Sequence, residues 1–263
     1  MNPGTFIVLG CGTSVGVPML GCDCAVCHSA NPKNQRTRAA VLLQLPAGNL
    51  LIDAGPELRL QLLREKIPLV HSVLFTHYHA DHLFGLDDVR VFPRMLGGAL
   101  PIYCAEDVEE VIRTVFSYAF HPSAEELPAG VLPKLEFHRI AEETFGILGQ
   151  HIVPIPLIHG RFDCLGFRFN DVAYCTDVSD IPDRSWPLLE GLDTLLLDCL
   201  RPGPSHQSHY GLTEALGVIE KLKPKRTYLT HLSHLFDSGD PPPLPANVEL
   251  AYDGLRIPLG RTL

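Results

Sequence analysis

Thr76-His77-Tyr78-His79-Ala80-Asp81-His82 sets four metal-competent side chains within six residues, directly after the apolar run 73–75. Alternate residues of an extended segment point to one side, so His77 and His79 suit a single ion. As the chain turns into a helix, Asp81 and His82 swing toward a second. Imidazole with carboxylate suits zinc, with manganese or iron as further candidates. A cluster of solvated surface histidines is the plainer alternative, but so many ligand types after one strand argue against it.

The same arrangement recurs along the chain. The apolar run 152–158 leads to His159, 172–175 leads to Thr176-Asp177, and 227–229 leads to Thr230-His231. Strand ends on one rim of a sheet converge ligands on a rigid scaffold. Further strand-like runs are 6–9, 40–45, 50–52, 165–169, 194–197 and 248–252, most of them bounded by Gly, Pro, Asn or Asp. Helical patterns cover 56–66, 106–118 and 212–221, the last with Thr213 as a candidate cap. Sheets covered by helices follow from this order. Residues 120–133, rich in Pro, Ala and Glu, read as a loop, and 94–147 as an insertion into one domain spanning 1–263.

The 263 residues suffice for one large α/β domain. Hydrophobic residues make up 46% and charged residues 19%, which is globular rather than disordered composition. No apolar run reaches the roughly 18–20 residues that cross a bilayer. The stretch MNPGTFIVLGCG lacks the basic start and long apolar core of a secretory signal, so a cytoplasmic location is expected. The net charge is −9, and Lys221, Lys223, Lys225 and Arg226 read as a solvated helix end and loop. A nucleic-acid partner, which needs a basic face, is not expected; a small substrate is.

Three of the eight cysteines crowd into Cys22-Asp23-Cys24-Ala25-Val26-Cys27. Reduced thiols so close together point to a metal rather than to disulfides. Cys164, Cys175 and Cys199 sit in apolar runs and read as small core residues.

The segment His77–His82 resembles the His-x-His-x-Asp-His hallmark of the metallo-β-lactamase superfamily, and the resemblance covers nearly the whole chain. It implies an αββα sandwich: two facing mixed β-sheets flanked by helices. It also implies that His77, His79 and His159 hold one metal and that Asp81, His82 and His231 hold the other. Asp177 would bridge them, with a hydroxide between the ions. Taken alone, His159 and His231 read as structural histidines and Asp177 as a turn residue. Redox di-iron relatives resemble His-x-Glu-x-Asp-His; here the middle position is His79, which favours hydrolysis.

A narrower resemblance rests on Gly10–Pro18, on the Cys22–Cys27 cluster and on Thr230-His231-Leu232-Ser233-His234-Leu235-Phe236-Asp237. Together they resemble the PhnP-type phosphodiesterases, which hydrolyse cyclic phosphates. That family implies a structural zinc on Cys22, Cys24, Cys27 and His234, with His28 as a competing fourth ligand. Three thiolates and an imidazole make a closed tetrahedral site. The family also implies a general-acid histidine that binds no metal, for which His209 fits, with His206 as runner-up. Asp53 and Asp198 read as groups that orient ligand imidazoles. Arg90, beside Asp87 and Asp88, reads either as a phosphate contact or as half of a surface ion pair.

The expected activity is therefore hydrolysis of a small, cyclic phosphodiester by a bridging hydroxide, with Asp81 and His209 as catalytic residues. A bound metal lowers the pKa of water from about 15.7 to near 7, and a second ion about 3.5–4 Å away neutralises charge developing on phosphoryl oxygen. Rival readings are a tRNase Z-like nuclease and a thioesterase or lactonase of glyoxalase II type. A homodimer is expected by analogy alone.

Overall fold

A computed structural model describes residues 4–122, 127–128 and 130–260 of the chain. Two seven-stranded mixed sheets face each other. The first runs β14 (Arg256–Pro258), β1 (Thr5–Gly10), β2 (Ala40–Leu45), β3 (Gly48–Ile52), β4 (Ser72–Leu74), β5 (Leu100–Cys104) and β6 (Leu135–Arg139). The second runs β13 (Val248–Leu250), β12 (Arg226–Thr230), β11 (Thr194–Asp198), β10 (Val172–Cys175), β9 (Phe162–Phe169), β8 (Gln150–His159) and β7 (Phe145–Ile147). Helices α1 (Leu58–Arg64), α2 (Ala80–Leu83), α3 (Phe92–Leu96) and α4 (Glu106–Val115) accompany the first sheet, and α5 (Leu212–Leu222) the second. This is the αββα sandwich of the metallo-β-lactamase fold.

The period-2 alternation of the strands builds three apolar layers. Phe6, Val8, Val41, Leu43, Phe167, Tyr174 and Leu196 fill the space between the sheets. Their sequence neighbours Ile7, Leu9, Ala40 and Leu42 turn the other way, under α1 and α4. Leu195, Leu197 and Leu229 pack outward against Leu212, Ala215, Val218 and Ile219, the helical stripe of α5. Each large side chain so buried contributes about 1.5–3 kcal/mol, set against the entropy of ordering the chain.

Strands β3 to β6 pair in parallel, as do β10 to β13. β8 and β10 each pair antiparallel with β9, so β8 runs in their direction as well. The C-terminal ends of β4, β8, β10 and β12 consequently open onto one rim, the usual place for a site in sheets of this kind. Local geometry differs from expectation at one point. Thr213 lies inside α5; Gly211 precedes the helix, and its N–H donates to Glu214 Oε2 at 3.2 Å. The expected insertion, residues 94–147, supplies β5 and β6 of the first sheet and β7 of the second. Positions 123–126 and 129 of the expected 120–133 loop lie outside the described residues.

Candidate metal centre

The tight turn after β3 begins the site. Asp53, in Leu50-Leu51-Ile52-Asp53-Ala54-Gly55, is wholly buried and has φ 64°, a left-handed conformation rare for a non-glycine residue. Asp177 and His231 share this feature, each with φ 56° at the end of a strand. Such strain costs about 1–3 kcal/mol per residue and persists where the surroundings over-determine it. Glycines let α2 lie close by: a Cβ on Gly55 would run into the Asp81 carbonyl, and one on Gly85 into that of Gly55.

Asp53 orients two imidazoles. Its Oδ1 accepts from the Thr76 N–H at 2.9 Å, and its Oδ2 accepts from the Thr76 hydroxyl at 2.9 Å and from His82 Nδ1 at 2.7 Å. Because the Thr76 hydroxyl spends its proton on Asp53, it accepts from His77 Nδ1 at 2.9 Å. His77 Nε2 therefore carries a lone pair. The Ser208 carbonyl accepts from His159 Nδ1 at 2.7 Å, which likewise leaves a lone pair on His159 Nε2. Both lone pairs face His79 Nδ1, at 3.0 and 3.2 Å. One proton on His79 cannot serve both neighbours, so the arrangement calls for a cation. Three nitrogens at about 2.0–2.1 Å from a tetrahedral zinc would lie about 3.3 Å apart, close to what is seen. Burial holds all three imidazoles below their ordinary pKa, keeping them neutral, as ligands must be.

A second group adjoins the first. Asp81, His82, Asp177 and His231 bring ligand atoms within 4.8 Å of one another. His82 Nε2 lies 3.3 Å from Asp81 Oδ2 and 3.1 Å from Asp177 Oδ2; His231 Nε2 lies 3.7 Å from Asp81 Oδ2 and 3.4 Å from Asp177 Oδ1. Both Nε2 atoms are buried without a hydrogen bond, which is costly unless something else meets them. Burial opposes charge here, yet Asp177, Asp53 and Asp81 push His82 well above its ordinary pKa. Asp177 and its neighbours likewise raise His231 to about 9. Burial also opposes ionisation of Asp81 and Asp177, but His82 and His231 hold both carboxyls well below the carboxylate range. Excess negative charge thus draws protons to a place where a divalent ion would sit. Asp177 faces both groups, its Oδ1 standing 3.7 Å from His159 Nε2.

His209 is buried beside this pair. Its Nδ1 donates to Asp198 Oδ2 at 3.2 Å, and its ring stacks on His231 with 4.6 Å between centroids. Asp198 Oδ2 also accepts from the N–H groups of Val178 and Tyr210, tying the Asp177 and His209 segments together. His206 instead turns its Nδ1 to the Ser208 hydroxyl at 3.0 Å.

The cysteine cluster closes on a histidine from the far end of the chain. Cys22, Cys24 and Cys27 Sγ lie 3.1, 3.4 and 3.7 Å from His234 Nδ1. His28 points away, to exposed Asp23. The Cys27 N–H lowers the Cys24 thiol to about 6, while burial raises Cys27 to about 11. Arg36 is buried beneath this loop. Its guanidinium donates to the carbonyls of Ser233 and Phe236, to Asn34 Oδ1 and to the Ser238 hydroxyl, fixing the turn that carries His231 and His234. A single arginine in a polar stretch gives no sequence signal of such a role. Arg90 forms a surface ion pair with Asp87 at 2.9 Å and does not reach the centre.

Comparison with known proteins agrees with this geometry. A family model described as the beta-lactamase superfamily domain matches residues 48–232, and the chain belongs to the metallo-β-lactamase superfamily. More narrowly, it is similar to a solved structure of a new diphosphatase from the PhnP family, with 44% identity and a TM-score of 0.87 over 97% of this chain and 96% of that one. Among curated proteins it is 33% identical to an octanoyltransferase of Porphyromonas gingivalis over 253 residues, 95% of this chain and 50% of the relative. It is 25% identical to a ribonuclease Z of Halalkalibacterium halodurans over 222 residues, 81% of this chain and 60% of the relative. The chain spans about half the length of the first curated relatives it matches.

Proposed function

We propose that this chain is a two-metal phosphodiesterase acting on a small, cyclic phosphodiester. The observation that supports it is the single carboxylate of Asp177 set between a three-histidine group and an Asp81, His82 and His231 group. The residues present fit two divalent ions: His77, His79 and His159 would hold one, Asp81, His82 and His231 the other, and Asp177 both. When bound, such ions supply a hydroxide at neutral pH and neutralise phosphoryl charge.

The remaining work falls to the chain itself. Asp53 locks His77, through Thr76, and His82 into the tautomers a ligand needs. Asp198 accepts from His209 Nδ1 and so turns the ring, leaving Nε2 to give a proton to the leaving oxygen. Cys22, Cys24, Cys27 and His234 would hold a structural zinc that fixes the end of the His231 loop. Hydrolysis of bis(p-nitrophenyl) phosphate and of a 2′,3′-cyclic nucleotide by the metal-loaded protein tests the reading. Full activity in Asp81→Ala or His82→Ala refutes it.

The likeness to an octanoyltransferase favours an acyl-ester hydrolase as the second reading, since the same centre can polarise a carbonyl. Turnover of an octanoyl thioester faster than any phosphodiester would decide for it. The ribonuclease Z likeness points to RNA instead, against which the charge of −9 weighs; salt-sensitive RNA binding would reverse that judgement.

A further inference from the structure

The cysteine loop has a chemistry of its own, separate from hydrolysis at the rim. Cys22, Cys24, Cys27 and His234 keep their ligand atoms within 4.8 Å of one another. Cys24 and Cys27 share a single turn of chain, closed where the His28 N–H donates to the Cys24 carbonyl at 3.1 Å. Residues three apart on a helical turn of this kind have Cα atoms about 5 Å apart, inside the roughly 4.4–6.8 Å that a disulfide spans. The Cys27 N–H donates to Cys24 Sγ at 3.4 Å, which holds that sulfur over the Cys27 end of the turn. Cys22 lies before the turn. Access separates the cysteines further. Cys22 and Cys24 are half-buried and Cys27 is 8% exposed, whereas Cys11, Cys104, Cys164, Cys175 and Cys199 are all at 3% or less.

The same loop is tied to the metal centre. Its leading strand end bridges the His231 turn: the Leu232 N–H donates to the Cys11 carbonyl at 2.8 Å, and the Thr13 N–H to the Leu232 carbonyl at 3.2 Å. The Met19 N–H donates to Cys27 Sγ at 3.4 Å, and His234 meets the thiols from three residues beyond His231. His231 holds φ 56°, a left-handed conformation that persists only while its neighbours enforce it. The tether at His234 is one of those constraints. A thiolate is what zinc binds, and it is also what a peroxide oxidises.

Building on the structural-zinc reading, we propose that Cys24 and Cys27 are a modification site for peroxide, and that their oxidation to a disulfide releases the loop zinc and loosens the His231 side of the metal centre. The Cys24 thiolate attacks one peroxide oxygen, the O–O bond breaks with its electron pair on the other oxygen, and hydroxide leaves a sulfenic acid behind. The Cys27 thiolate then attacks Cys24 Sγ; the S–S bond forms, the S–O bond breaks, and a second hydroxide departs. The two sulfurs lose two electrons, peroxide gains them, and two protons from the medium turn both hydroxides into water. Cys22 and His234 remain, too few ligands for a closed tetrahedral site.

The probe is hydrogen peroxide added to the zinc-loaded protein, followed by desalting, elemental analysis, thiol titration and peptide mapping. About one zinc per chain should be lost together with about two free thiols, and mapping should find Cys24 joined to Cys27. Competition against a fluorescent zinc chelator should show the rim binding zinc at least about threefold more weakly, and a dithiol with added zinc should restore all of these readings. Zinc lost without that linkage, the linkage formed without loss of zinc, or an unchanged rim affinity overturns the proposal. If the untreated protein holds no zinc on the cysteine loop, the structural-zinc reading fails separately. Chelator-treated protein then decides the modification site: a Cys24–Cys27 disulfide forming at least about tenfold faster than any of the five buried thiols reacts supports it, and equal rates or a different pairing overturn it.

Discussion

Replacing Asp53 by Asn changes two atoms' chemistry at a point where one carboxylate orients an imidazole from each metal group. In the native arrangement three donors converge on it: the Thr76 N–H, the Thr76 hydroxyl and His82 Nδ1. An amide can accept from one side only, so its NH2 must meet a donor in either orientation: the Thr76 N–H, or the Thr76 hydroxyl together with His82 Nδ1. At about 1–3 kcal/mol for each buried group left unmatched, the metal-free protein should lose about 2–6 kcal/mol, against total stabilities of about 5–15 kcal/mol. The misdirected imidazoles should also weaken zinc about 10–100-fold, or about 1.4–2.7 kcal/mol. Urea unfolding of the chelator-treated protein reads the first quantity, and competition against a fluorescent zinc chelator reads the second. Asp53→Glu, which keeps the charge on a longer arm, should fall between. A folded Asp53→Asn protein with zinc affinity within twofold of wild type would refute the reasoning.

Four other outcomes follow from the same geometry. Asp177→Asn should cost at least about a hundredfold in kcat and at least one bound metal by elemental analysis, because one carboxylate serves both groups. His209→Ala should lower kcat about 10²–10⁴-fold for a cyclic nucleotide but far less for a p-nitrophenyl ester, whose leaving group needs no proton; equal losses would remove the general-acid role. Cys24→Ser and His234→Ala should each release one zinc and lower the melting temperature, whereas His28→Ala, whose imidazole faces Asp23, should do neither. His231 and His82 are raised in the metal-free fold, His231 to about 9. Their stabilisation is therefore complete below about 6.5 and lost as pH rises toward 9. Urea midpoints of chelator-treated protein should decline over that window, and a flat or rising profile would contradict the charge assignment.

The sequence made the site more legible than the fold around it. The His77–His82 segment, His159, Asp177 and His231 each follow an apolar run, so strand and ligand announced each other: β2 and β10 begin and end where the apolar runs do, and His159, Asp177 and His231 reach the histidine cluster. What escaped notice lacks such a marker. β14 is three residues on a sheet edge, paired with β1 from the opposite end of the chain. β5 opens Leu100-Pro101, which reads as a breaker, and β6 is only partly buried, so its apolar positions alternate weakly. At the site, Arg36 and the Ser208 carbonyl were invisible for a different reason. Their roles depend on loops brought together by tertiary packing, and neither a lone arginine nor a backbone oxygen has a pattern.

The central claim is that strand ends from both sheets gather two metal-ligand groups around Asp177. Anomalous diffraction at the zinc edge from crystals grown with zinc tests it most directly. Two peaks about 3.5–4 Å apart, flanked by His77, His79 and His159 on one side and Asp81, His82 and His231 on the other, with a third at Cys22, Cys24, Cys27 and His234, are the expected result. A single peak at the rim, or peaks that bypass Asp177, would contradict the account.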